Sequence, residues 1–119
     1  MKPRQRGFIM VETVFAIAIV ATAVATAAGA MSVSARVIDR ASSRTTASWI
    51  AVSQAELVLD AAYVTTGGQY ESVTTPARFT VSNTTLAFPD GDAAIQYVDI
   101  TVQRNGSTVL THRIVKVNR

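Results

Sequence analysis

The chain has 119 residues and a formal net charge of +3, with no cysteine and a single histidine. That inventory excludes a disulfide framework, a cysteine-based zinc site, a thiol nucleophile and any site needing several histidines. Lys2, Arg4 and Arg6 carry the whole basic excess, because eight basic and eight acidic residues follow Phe8; a chain neutral beyond its first residues has no broad basic patch, which argues against a nucleic-acid partner.

The first element is apolar. Phe8 to Met31 is a run of 24 residues rich in Ala, Ile and Val, and Glu12 is its only charge. As helix it spans roughly 36 Å, enough for a hydrocarbon core of about 30 Å. Ala is the best helix former and no Pro intervenes, so continuous helix is expected, with Gly29 its one weak position. Lys2, Arg4 and Arg6 precede the run, while Arg36, Arg40 and Arg44 after it are partly offset by Asp39. The asymmetry predicts N-terminus inside and C-terminus outside. Three outcomes are compatible with these residues. One is a plain signal anchor. Another is a secretory signal cut at Ala28-Gly29-Ala30, although the run exceeds the usual apolar length of roughly 7–15 residues. The third is a cut before the run, at Gly7-Phe8.

Arg6-Gly7-Phe8-Ile9-Met10-Val11-Glu12-Thr13-Val14-Phe15 resembles the prepilin signal of type IV pilins and type II secretion pseudopilins. That signal is a short basic leader ending in Gly, then an aromatic residue or Met, then Glu four residues on, opening an apolar helix. The resemblance implies cleavage by prepilin peptidase after Gly7 and N-methylation of Phe8. It implies that Glu12 pairs with the N-terminal amine of a neighbouring subunit during filament assembly. It also implies residence in the bacterial inner membrane, transfer by an inner-membrane assembly platform, and an extracytoplasmic pilus or pseudopilus as destination. Its partners would be other pilin or pseudopilin subunits, the peptidase and the lipid bilayer.

Helical spacing continues beyond the apolar run, as in Ile38-Ala41 and Val52-Ala55-Leu59, and no Pro or Gly occurs between Ala30 and Thr66. One helix of about 55 residues is expected, ending before Gly67-Gly68. Ser42, Ser43, Thr45 and Thr46 form a polar patch where it could bend. Arg36, Arg40 and Arg44 share one face, and Glu56 and Asp60 form an acidic pair higher up. Such charges most often face solvent. The functional alternative is a staggered contact, basic face against the acidic part of a neighbour.

Beyond Gly67-Gly68 the period changes to two. Phe79 and Val81 start a short strand after Pro76; Pro89-Asp90-Gly91-Asp92 reads as a turn. Val98, Ile100 and Val102 alternate, as does Val109 to Val117, around Asn105-Gly106, a strong hairpin signal. A two-residue loop there puts Val102 opposite Val109, Asp99 opposite His112 and Tyr97 opposite Ile114. So small a domain is marginal alone. Trp49, Val52, Val58 and Leu59 are expected to lie across the sheet and complete its core.

The expected architecture is α+β. Residues 1–7 form a basic leader, 8–31 a transmembrane and assembly helix, and 32–63 an amphipathic continuation. Residues 64–119 form a small antiparallel β domain with its hairpin at 105–106. Ala47 to Leu57, with Gln54, Glu56 and Leu57, resembles the same helix segment of I-type minor pseudopilins and V-type minor pilins, which implies a minor subunit. The lack of cysteine departs from many major pilins. Asp90, Asp92 and Asp99 could hold calcium, but a polar turn is the expected use. Asn83-Thr84-Thr85 matches the glycosylation pattern and is expected to be incidental. No catalytic motif, metal site or cofactor is expected. The alternative to a filament subunit is a single-pass signal-anchored or secreted small binding module.

Overall fold

The computed structural model describes residues 3–118, with side chains from Ile9 onward. Helix α1 runs from Pro3 to Asp60, followed by strands β1 (Phe79–Ala87), β2 (Ile95–Arg104) and β3 (Ser107–Val117). The strands form one antiparallel sheet in the order β1-β2-β3. The chain is thus α+β, a long N-terminal helix with a small antiparallel sheet. It divides into two compact units, residues up to Asp39 and residues from Arg40.

In the first unit α1 is exposed along its described length. Nothing lies near Gly29, and the helix passes through it. One helix near the N-terminus, within Ile9–Asp60, is long and apolar enough to cross a membrane.

In the second unit α1 packs on the sheet. The polar patch at Ser42–Thr46 does not break the helix, because Thr45 Oγ1 donates to Ala41 O at 3.1 Å and Ser48 Oγ to Arg44 O at 2.9 Å. The core joins Ala47, Ile50, Ala51 and Val58 of α1 to Val98, Ile100 and Val102 of β2, with Tyr70 beside them. The expected helix face is corrected here. Val58 is buried, but Trp49 is 71% exposed, Val52 51% and Leu59 52%. The sheet comes up against the small Ala47–Ala51 side and the amide of Gln54, so the bulkier apolar side chains point away.

The helix ends at Asp60 with no glycine at the stop. Buried Lys116 of β3 reaches across instead. Its Nζ donates to Leu59 O at 2.5 Å and Ala61 O at 2.7 Å. A cation on the last carbonyls satisfies orphan acceptors and opposes the negative end of the helix dipole.

Asn105 (φ 51°) and Gly106 (φ 80°) make the β2–β3 turn, both left-handed as a type I′ turn requires. Arg104 then pairs with Ser107 and Gln103 with Thr108. Beyond that the expected register fails. A bulge at Val109 shifts the strand by one residue, so Val102 opposes Leu110, Asp99 opposes Arg113 and Tyr97 opposes Val115. The reason is the side chains. Without the bulge, Arg113 would lie opposite Val98 on the core face. With it, Leu110 and Ile114 take the core side and Arg113 turns outward.

Candidate functional site

Gly7 and Phe8, where the sequence leads one to expect cleavage and methylation, lie outside the residues whose side chains are described. Glu12 lies within them, exposed on α1. Its neighbourhood gives it meaning. Four polar side chains occur between Ile9 and Met31: Glu12, Thr13, Thr22 and Thr26. Each threonine folds back on its own helix. Thr13 Oγ1 donates to Ile9 O at 2.9 Å, Thr22 Oγ1 to Ile19 O at 2.8 Å and Thr26 Oγ1 to Ala23 O at 2.9 Å. A hydroxyl satisfied in this way is tolerable in an apolar medium. A carboxylate only accepts hydrogen bonds, and the helix ladder has already committed the local N–H groups. Glu12 therefore has no hydrogen-bond or ion-pair partner among the described residues.

The second feature is the outer face of α1 in the second unit. Trp49, Val52 and Leu59 lie there with Glu56 and Asp60, all exposed. Thr45, Ser48, Trp49 and Val52 line a shallow groove of about 400 Å³. Helical spacing of apolar residues marks this helix as amphipathic but does not decide which side meets the sheet, and the bulky side faces away from it.

The third feature holds segment 61–78, which has neither helix nor strand. Its backbone groups go to buried side chains. Gln54 Nε2 donates to Glu71 O at 2.8 Å while its Oε1 accepts from Val73 N at 2.9 Å. Asn83 likewise pairs both backbone polar groups of Tyr70, accepting from N at 2.8 Å and donating to O at 2.9 Å. Thr85 Oγ1 accepts from Gly67 N and donates to Gly68 O, both at 2.8 Å. A Cβ on Gly68 would fall 2.3 Å from Val64 Cγ1, so the segment also needs glycine there. Asn83 is therefore a loop clamp, buried and not presented to a modifying enzyme. No local pattern announces such amides, because their partners lie 13 to 19 residues away.

The aspartates expected at the turn do not converge. Asp92 Oδ1 accepts from Ala94 N at 2.8 Å, closing a turn. Asp99 is on the outer sheet face and binds Arg113 through two bonds, at 2.6 and 2.7 Å. The Arg113 guanidinium also lies 5.1 Å from the centre of the Tyr97 ring. Among the described residues no three acidic or histidine side chains cluster as metal ligands.

The Arg113 hydrogen bonds, aided by its charge and opposed by partial burial, hold the Asp99 carboxyl below its ordinary value of 3.8. The same bonds raise Arg113, so Asp99 alone titrates in acid. A carboxylate depressed by folding contributes stability that is present above its unfolded value and lost as pH falls through the folded one. Urea melts of the chain and of Asp99→Asn should differ at pH 6 and converge below pH 3.8. A difference that persisted unchanged into strong acid would show that the carboxylate charge is not involved.

Comparison of the chain with family models, with characterised proteins and with solved structures finds no match.

Proposed function

We propose that the chain is a structural subunit, of the minor type, of a type IV pilus or type II secretion pseudopilus. The observation that carries this reading is Glu12, the single polar side chain of the apolar helix that finds no partner among the described residues. In the proposed pathway the precursor sits in the bacterial inner membrane, N-terminus inside. Prepilin peptidase cuts after Gly7. Phe8 becomes the new N-terminus and is methylated. The assembly platform then lifts the helix from lipid into a bundle of like helices.

The cut creates the cation that Glu12 lacks. A carboxylate and an ammonium are each costly in an apolar medium, and pairing offsets part of both costs. A neighbour's Phe8 amine would supply this charge, and the pair would fix axial register. The two long-range features support the same use. An exposed apolar helix trades lipid for neighbouring helices at little cost, and the sheet holds the upper helix as a rigid head. The role is structural and not catalytic; His112, the lone histidine, is exposed on β3 opposite Ile100.

Intact mass and N-terminal sequencing of the protein from its cells test the proposal. A mature start at N-methyl-Phe8 is expected. A start at Met31 would make the segment a removed secretory signal, and an uncut Met1 would make it a plain anchor carrying a binding module.

A further inference from the structure

Four exposed charges of α1 lie within the second compact unit: Arg40 and Arg44 near its base, Glu56 and Asp60 near its top. None of the four has a hydrogen-bond or ion-pair partner among the described residues, whereas Asp99 and Arg113 in the same unit are fully paired. The two sets have one geometry. Arg40 to Glu56 is sixteen residues, and so is Arg44 to Asp60. Sixteen residues are about 24 Å of helix, and they rotate the side chain by about 160°.

Glu56 and Asp60 sit at the C-terminal end of α1, whose last turn holds no basic residue of its own, and Lys116 there bonds the carbonyls of Leu59 and Ala61. They flank the direction of Trp49, the most exposed large apolar side chain of this unit, with Val52 and Leu59 beside it. Acids bordering an unburied aromatic face suit a cationic, partly apolar partner.

We propose that this outer face docks a second copy of the same chain, its α1 parallel and displaced by sixteen residues. Arg40 of one copy meets Glu56 of the next, and Arg44 meets Asp60. The inference rests on the filament reading and names the partner and register of one lateral contact within it. Isolated surface pairs are weak, but two pairs at one offset, closed over a Trp, select a single register. The basic and acidic sets point to nearly opposite sides of the helix. Such a contact is not self-complementary, so it joins two copies head to tail and not as a two-fold dimer.

The test uses the full chain in the cells that make it. The chain has no cysteine, so introduced cysteines report cleanly. Copies carrying R40C mixed with copies carrying E56C should cross-link on oxidation, and R44C with D60C likewise, at least tenfold above the off-register pair R40C with S48C. With R44C and D60C as reporters, Arg40→Glu should reduce the cross-link about tenfold. Adding Glu56→Arg should restore it. The second change also removes an anion from the helix C-terminus, so unfolding would not explain a loss. If the chain starts at Phe8 and enters filaments, but the pairs do not cross-link or the swap does not restore them, the register is wrong and the filament reading stands. Cross-links only to a different protein overturn the second copy as occupant. In-register cross-links on a chain still starting at Met1 would uphold this contact and overturn the filament reading.

Discussion

Gln54→Leu is expected to lower the thermal midpoint of the folded head by on the order of 15 °C. Gln54 is fully buried, and its amide answers both Glu71 O and Val73 N. Leucine has nearly the same shape, so the loss is not a cavity. It leaves one carbonyl and one N–H of the loop without partners, each costing about 1–3 kcal/mol. Leucine returns part of this as apolar burial, and a net loss of about 2–4 kcal/mol remains. Gln96 supplies the control. It is equally buried, but its Nε2 bonds only Tyr70 Oη, at 2.5 Å, and its Oε1 has no protein partner. Gln96→Leu removes one hydrogen bond and one unsatisfied atom together, so it should cost about 1 kcal/mol or less. Near-ultraviolet circular dichroism melts of the full chain in detergent micelles would measure both. Equal midpoints for the two variants would mean that segment 61–78 is not held by Gln54.

The contrast shows where sequence reasoning reaches and where it stops. The helix, the hairpin turn and the fold class were legible because each is encoded locally: an unbroken apolar run, a 3.6-residue period, an Asn-Gly between alternating residues. Glu12 was legible for the same reason, as a charge where the surrounding pattern forbids one. What escaped depends on residues far apart in the chain. The Val109 bulge arises because Arg113 must avoid Val98 across the hairpin, and a two-residue turn alone does not reveal that. The apolar spacing of the upper helix puts Trp49 with Val52, Val58 and Leu59 against the sheet, yet it is exposed. The sheet in fact selects Ala47 and Ala51, whose small side chains let the backbone approach. Strand β1 continues past Val81 to Ala87 because Asn83 and Thr85 occupy its inner face. They look like surface residues until the loop they clamp is in view.

Glu12→Ala should leave processing intact and reduce incorporation into filaments by at least a hundredfold. In the proposed pathway the peptidase acts at Gly7-Phe8, and alanine keeps both the helix and its apolar surface. Insertion should in fact become easier, since removing a charge from the span lowers its transfer cost by about 2–3 kcal/mol. The loss appears only on assembly. In the proposed bundle the methylated amine of each Phe8 would then be surrounded by apolar helices with no counter-charge, and breaking a buried pair in this way costs about 3–5 kcal/mol. At 1.4 kcal/mol per factor of ten, that is about two to three and a half orders of magnitude in the association of one subunit. Glu12→Gln separates charge from hydrogen bonding. It keeps an acceptor at nearly the same position and should fall between the two. Quantifying subunit in sheared filaments against subunit in membranes, with the N-terminus of both pools read by mass, gives the comparison. An alanine variant cut at Phe8 and incorporated like the parent would remove Glu12 from the register mechanism. An alanine variant left uncut would place Glu12 in peptidase recognition instead.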